Sequence, residues 1–303
     1  MIFLGFLAAG LIAYLAYRAR ALTPDGAVAA CLVGGAVFGF GGLGWAVLLV
    51  FFFASSSVLS FVKASDVRKR RAAETFEKGG RRDAAQVLAN GGVAALLAVA
   101  YRLAPSQGAV FFAAFLGALG AATADTWATE IGVLSRRPPR LITTGKPVAA
   151  GASGGVTWLG SVTGAAGALC LGLLAAGLLR LPGLFDPDDL LRITHCVSLD
   201  CQAWVLAPSA LPPLRNTQYA IPALAALLGG LVGSLTDSFL GATVQASYRC
   251  PACDKLTEST VHRCGTPTQL VKGSPRVNND LVNLLATLAG AVMGGAVEWA
   301  LSF

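Results

Sequence analysis

Apolar residues in this chain come in blocks of about twenty, and that length decides the class of fold. The hydrocarbon core of a bilayer is about 30 Å thick, and a helix rising about 1.5 Å per residue needs about twenty apolar residues to cross it. Eight such blocks are legible: 2–17, 27–43, 44–62, 86–104, 108–132, 154–181, 219–244 and 280–302. Backbone N–H and C=O groups find no water in hydrocarbon, so each block is expected to be a helix. The chain is 55% hydrophobic and only 13% charged, against about 25% charged for a soluble domain. The expected fold is all-α, a polytopic membrane bundle of about eight transmembrane helices, with residues 1–303 as a single membrane domain. Gly34, Gly35, Gly39, Gly41, Gly42 and Gly44 interrupt the second and third blocks, which leaves room for a re-entrant segment there. The first block has no positive residue ahead of it and no small-residue cleavage site, so it reads as a retained span rather than a signal peptide.

Charge placement gives the topology. If the loop 63–85 is cytoplasmic, eight spans put 18–26, 133–153 and 245–279 on the same side. Those four loops hold 19 of the 23 Lys and Arg, and the other side keeps only Arg102, Arg180, Arg192 and Arg215. Lys and Arg concentrate in cytoplasmic loops, so both termini are expected outside. The basic run VRKRRAA reads first as a topology signal or a solvated loop, and second as a contact for anionic headgroups. It lacks a folded basic domain around it, so nucleic acid is not expected as a partner. Loop 63–84 is expected to be helical in part, ending at Gly79-Gly80. The Pro-rich segment 182–218 reads as an outer insert; it contains His195, and Cys196 and Cys201 could pair there in an oxidising compartment.

Three acids sit within or at the lips of apolar blocks: Asp125 in ADTWATEIG, Asp237 in GSLTDSFLGATVQ and Asp280 in NNDLVN. A carboxylate at the bilayer centre costs about 2.5–3.5 kcal/mol on insertion scales, so such a residue needs a partner or a purpose. In the inferred topology all three fall at the cytoplasmic ends of their helices, beside RRDAAQVLANGG and TTGKPVAAGASGG. ADTWAT and TDSFLGAT echo one another on two helices of the same direction, so Asp125 and Asp237 can face each other at similar depth. Helical spacing places Asp83, Gln86 and Asn90 on one stripe, pairs Asp125 with Thr129 and Thr126 with Glu130, and aligns Asp237 with Gly241 and Gln245. It also pairs Asp280 and Asn279 each with Asn283.

Carboxylate and amide oxygens suit Mg²⁺, which takes one or two carboxylates and completes its shell with phosphate oxygens. Asp125, Asp237 and Asp280 are the candidate Mg²⁺ ligands, with Asn279 and Asn283 beside them. Arg81, Arg82 and Lys146 are candidate phosphate holders, and Asp83 would orient an Arg or join the metal. Gln86, Asn90, Thr129, Glu130, Ser153, Gly154 and Gln245 are the remaining candidate substrate contacts, and the glycines near 154 let backbone N–H groups approach a phosphate. Gly145-Lys146 is followed by Pro147, so this is not a Walker A loop. Taken singly, Gln86, Asn90 and Thr129 serve equally well as hydrogen-bond glue between helices, and the glycines as close packing.

The loop after the seventh block contains Cys250-Pro-Ala-Cys253 and, within ten residues, His262-Arg-Cys264-Gly. Three thiolates and an imidazole are enough for a closed tetrahedral Zn²⁺ site, expected to be structural because no open position remains; reduced cytoplasmic thiols without metal are the alternative. Cys31 and Cys170 read as small apolar residues inside spans.

KGGRRDAAQVLANGG, ADTWATEIG, ITTGKP…GASGGVTWLGS, GSLTDSFLGATVQ and NNDLVN, in this order over about residues 23–300, resemble the integral membrane family that includes transmembrane protein 19 and the plant phytyl-phosphate kinase of tocopherol synthesis. The resemblance implies transfer of a phosphoryl group from a nucleoside triphosphate to an isoprenyl monophosphate such as phytyl or geranylgeranyl phosphate. It also implies a distant kinship with polyprenol kinases and phosphatidate cytidylyltransferases, which makes CTP the first donor to try. The cysteine cluster and the insert 182–218 are not part of that pattern. The lipid phosphate and the nucleotide are the expected partners, and the expected location is a bacterial-type plasma membrane with the site facing the cytoplasm. Two other classes compete. A transporter or channel also uses Gly-broken helices and intramembrane acids, but it needs a polar path through the outer halves of the spans, which hold little polar content. A scaffold that binds a partner through the cysteine loop leaves the acids unexplained.

Overall fold

In the computed structural model, residues 2–62, 81–181, 184–185 and 216–302 are described. The basic run with its expected partial helix, and most of the insert with His195, Cys196 and Cys201, lie outside them. Eight long helices carry the described chain: α1 (Ile2–Arg18), α2 (Pro24–Ala36), α3 (Leu43–Val62), α4 (Ala84–Leu103), α5 (Gly108–Gly132), α6 (Trp158–Leu178), α7 (Asn216–Thr243) and α8 (Asn279–Leu301). Seven stretches are long and apolar enough to cross a membrane, and α1 is a shorter apolar helix. The expected sixth span begins four residues late. Gly155 and Val156 form β2, which pairs with β1 (Arg140–Leu141), and the Thr157 hydroxyl then caps α6 by accepting from Gly160 N.

The glycine-rich junction of the second and third spans is a helix break. α2 runs on into a π-helical turn, Val37–Gly41. Gly42 ends it at φ +85°, a left-handed conformation that favours glycine, and α3 starts at the next residue.

α5 is the axis of the bundle. Its apolar residues run all round, and most of them are buried against α4, α6, α7 and α8, as expected of a helix with no lipid-facing side. Small residues make this possible. A Cβ added at Gly229 would come within 2.5 Å of Gly117 Cα, and one at Gly290 within 2.5 Å of Gly117 O. Membrane helices lack a hydrophobic drive towards each other, so backbone proximity and dispersion hold these three together.

At one end of the bundle Trp45 packs on Tyr101, Phe112 and Phe115, with ring centroids 4.8, 5.1 and 4.5 Å away. Phe185 covers this cluster, and Leu184 O accepts from Gly44 N. The opposite end gathers the described parts of the connections that the charge pattern assigned to one side, 18–26, 81–85, 133–153 and 245–279. Leu22 and Arg82 form a parallel bridge, and Asp25 accepts from Ala84 N at 3.0 Å, so the α1–α2 turn is tied to the start of α4. The β1–β2 connection packs on the end of α7, with Gly154, at φ +81°, against the Ala242 backbone. After α7 comes a small three-stranded sheet, β3 (Ser247–Arg249), β4 (Leu256–Thr257) and β5 (Gln269–Lys272), in the order β4-β3-β5. Lys272 Nζ, from β5, donates to Gly241 O at 2.7 Å and so binds the last turn of α7.

Candidate functional site

A cavity of about 780 Å³ opens at this end, between α4, α5, α7, α8, the β1–β2 connection and the small sheet. Asp125, Thr126, Thr129 and Glu130 line it from α5, and Ser234, Asp237 and Ser238 from α7. Both helical pairs expected on α5 therefore face the same space. Asp125 and Asp237, the acids of the ADTWAT/TDSFLGAT echo, thus line one cavity, with Glu130 and Glu258 on its wall as well. The buried Oδ2 of Asp237 has no hydrogen-bond partner among the described residues. Ser60 Oγ donates to Glu130 Oε1 at 3.0 Å.

The remaining walls hold most of the other expected residues. Gln86 and Asn90 line the cavity from α4, Asn279 and Asn283 from α8, and Ser153 and Gly154 from the β1–β2 connection. Gln245, just past α7, is buried; its Nε2 lies 2.9 Å from Glu258 Oε1 and 3.5 Å from Asn279 Oδ1. Arg82 supplies positive charge. Its Nη1 donates to Ser57 Oγ at 2.8 Å, and the guanidinium carbon sits 5.3 Å from the Phe53 ring centroid. Burial pushes its pKa below the usual value while the charge of Glu130 pushes it back up, so the group remains a cation.

Four expected residues are not among those lining the cavity. Asp83 is not part of the Gln86–Asn90 stripe. It is the N-cap of α4, with Oδ1 accepting from Gln86 N at 2.9 Å, a use worth about 1 kcal/mol of helix stability. The Arg81 guanidinium is turned to Leu22 O, at 2.9 and 3.2 Å. Lys146 is exposed on the β1–β2 connection, where its N–H bonds back to Thr144 Oγ1. Asp280 sits in the first turn of α8, next to the Asn278 cap, where a carboxylate complements the helix dipole.

Glu258 was missed by the sequence reading. It follows β4, lines the cavity, and accepts from Ser153 Oγ at 2.6 Å as well as from Gln245. Nothing local marks it, because an acid in a polar loop is unremarkable until the sheet is folded over the bundle. Arg136, Arg137 and Arg263 also reach the cavity wall.

Beside the cavity the Cys250, Cys253, His262 and Cys264 ligand atoms lie within 4.8 Å of one another. Cys250 Sγ and Cys264 Sγ are 3.6 Å apart, close to the roughly 3.8 Å separation of two thiolates each about 2.3 Å from a tetrahedral zinc. His262 Nδ1 is 3.0 Å from Cys264 Sγ. The Thr266 hydroxyl and then the His262 ring draw the Cys264 thiol down to about 5, while the hydrogen bond with Cys264 pushes the Cys253 thiol up to about 11; thiolate is the ligand form. The group can bind a metal ion, and its chemistry and spacing fit structural zinc. Such an ion would tie the β3–β4 turn to the His262–Gly265 turn and so fix the frame from which Glu258 extends.

Comparison with known proteins places the chain. It is 33% identical to Protein PGR of Arabidopsis thaliana over 92% of this chain and 89% of that one. It is 26% identical to an uncharacterised membrane protein of Methanocaldococcus jannaschii, over 97% of this chain and 92% of that one. A third relative, an uncharacterised membrane protein of Synechocystis, is 29% identical over 52% of this chain and 61% of its own length. No solved structure matches. The family described as Integral membrane protein DUF92 matches residues 7–291, nearly the whole bundle with its cavity, and this chain is a member of that family.

Proposed function

We propose that the cavity is a phosphoryl-transfer centre and the protein an isoprenyl-phosphate kinase. It would take the terminal phosphoryl group of a nucleoside triphosphate, CTP first, and pass it to a lipid monophosphate such as phytyl or geranylgeranyl phosphate. The supporting observation is the meeting of Asp125 and Asp237 in one polar cavity, with Asp237 Oδ2 buried and unmatched. Two carboxyl groups on the wall of one cavity, one of them with a buried oxygen that has no hydrogen-bond partner among the described residues, fit a divalent cation, and a cavity of 780 Å³ has room for a nucleotide. Asp125 and Asp237 are the proposed Mg²⁺ holders, with Asn279 and Asn283 as nearby oxygen donors; bound Mg²⁺ neutralises phosphate charge. Asp280 does not line the cavity and is left out of the proposed pair.

In the proposed reaction a terminal oxygen of the lipid monophosphate forms a bond to the γ-phosphorus, and the bridging P–O bond breaks as the nucleoside diphosphate leaves. This chemistry asks the protein for alignment and charge rather than a covalent nucleophile. Arg82, Arg136, Arg137 and Arg263 would hold phosphate oxygens, and the Gly151–Gly155 backbone lets a phosphate approach closely. Glu258, held by Ser153 and Gln245, would fix the third wall. The positive-inside pattern supports a site facing the cytoplasm, and a plasma membrane is the proposed location. A channel is disfavoured by the packed Trp45–Tyr101–Phe112–Phe115 cluster at the other end of the bundle. The test is purified protein with Mg²⁺, each γ-labelled nucleoside triphosphate in turn, and phytyl, geranylgeranyl or farnesyl monophosphate. Labelled lipid diphosphate is the expected product; no product from any pairing refutes the proposal.

A further inference from the structure

A second cavity lies between α1, α2, α3 and α4, and its wall is almost wholly apolar. Ala13, Ala30, Gly34, Phe38, Ala46 and Leu49 set its shape. It is not isolated: Arg82, Gln86 and Asn90 line both this groove and the polar cavity, so the two spaces meet at those three side chains. We propose that the groove holds the hydrocarbon chain of a single-chain lipid phosphate whose head lies in the polar cavity.

Three observations select that occupant. The junction is marked by Arg82, a largely buried guanidinium placed where an anionic head would turn into an apolar tail. The groove follows α2 away from the cytoplasmic-side connections, from the Leu22 turn to Phe38, a run of about 20 Å at helical rise. Its size excludes bulkier guests. The enclosed space is about 100 Å³, near three water volumes, whereas a helix is about 10 Å across with its side chains. The head-proximal part of one hydrocarbon chain fits and a protein element does not. The same small volume means that only the part of the chain nearest the head is enclosed, while the remainder lies along exposed lipid-facing residues such as Val28 and Leu32 of α2. Discrimination should therefore fall on the first isoprene units and be weak for total chain length.

The head's identity as a phosphoryl acceptor rests on the function proposed above; the groove does not, and the experiment separates them. Wild-type protein in detergent, without nucleotide, is irradiated with a geranylgeranyl monophosphate carrying a diazirine in its second isoprene unit. Adducts are expected around Ala13, Ala30 and Ala46. Geranylgeranyl monophosphate should compete about tenfold or more better than geranylgeraniol, the worth of a charged hydrogen bond at Arg82. Ala30→Phe and Ala46→Phe, at half-buried positions on different helices, should each fill the groove and remove most of the labelling. Val292→Phe, on an exposed face of α8, should leave it unchanged. Adducts confined to the outer faces of α6 and α8, or undiminished labelling in both groove variants, would overturn the proposal. Labelled groove with no diphosphate under any nucleotide would sustain the lipid site and refute the kinase; diphosphate formed with an unlabelled groove would do the reverse.

Discussion

At the scale of single residues, charge rather than shape decides what the proposed site can do. Asp125→Asn and Asp237→Asn keep the size of the side chain and remove the charge that a divalent cation needs. Each should lower turnover by about 10²-fold or more, the usual loss for one electrostatic contact in such a site. Neither should shift the elution of the protein in size exclusion, because removing a repelling buried charge relieves a desolvation cost. Glu258→Gln retains an oxygen to accept from Ser153 and Gln245. A loss of about tenfold or more there would be a charge effect, whereas full activity would reduce Glu258 to a strut. Asp280→Asn should cost less than either bundle acid, since Asp280 occupies the first turn of α8 and a dipole contact is worth about 0.3–1 kcal/mol. Equal losses at all three acids would restore Asp280 to the metal shell. Asp125 and Asp237 were legible in the sequence because a carboxylate in an apolar block has few innocent explanations. The capping of α4 by Asp83 was not legible, because its spacing to Gln86 is equally that of a residue inside the helix, and periodicity does not say whether a helix has already begun.

At the scale of elements, two pieces can be tested separately. The small sheet with its Cys₃His group should carry about one zinc per chain by elemental analysis, and Cys253→Ser should lower that content. If zinc holds the frame around Glu258, this variant should lose activity while keeping the helical circular dichroism of the bundle. A zinc-free protein with full activity would make these residues plain thiols. The second piece is the α5–α7–α8 contact. Gly290→Val pushes a branched side chain against Gly117 O and should destabilise the detergent-solubilised bundle by about 1–3 kcal/mol or more; an unchanged melting temperature would contradict the packing. The helices themselves were readable from block length. The start of α6 was not, because Gly155 and Val156 are apolar enough to extend the block, and only the antiparallel pairing with Leu141 and Arg140 removes them from the helix. Glu258 was hidden for a related reason: its role arises from contacts to Ser153, 105 residues away, which no local pattern encodes.

At the scale of the whole molecule, the described parts of the connections that the Lys/Arg pattern assigns to one side gather at one end. Exposed Trp158 at the start of α6 and exposed Trp299 near the end of α8 stand at opposite ends of the bundle, as an aromatic belt at each interface requires. Topology can be read with an added cysteine in sealed cells. One at Ser106 should give an extra adduct with an impermeant maleimide over the wild-type chain, and one at Ser135 should not; the reverse would put the cavity outside. The bundle then presents two joined spaces, a polar cavity at the surface and an apolar groove beneath it, which suits a substrate with a charged head and a hydrocarbon tail. In the proposed function the acids of the polar cavity hold Mg²⁺ while a phosphoryl group passes from the nucleoside triphosphate to such a lipid. The most direct measurement is labelled diphosphate formed from geranylgeranyl monophosphate and γ-labelled CTP by purified wild-type protein, run beside Asp237→Asn at equal folded concentration. The account predicts product that requires Mg²⁺ and falls about 10²-fold in the variant; wild type and variant forming equal product, or neither forming any with CTP, ATP, GTP or UTP, would contradict it.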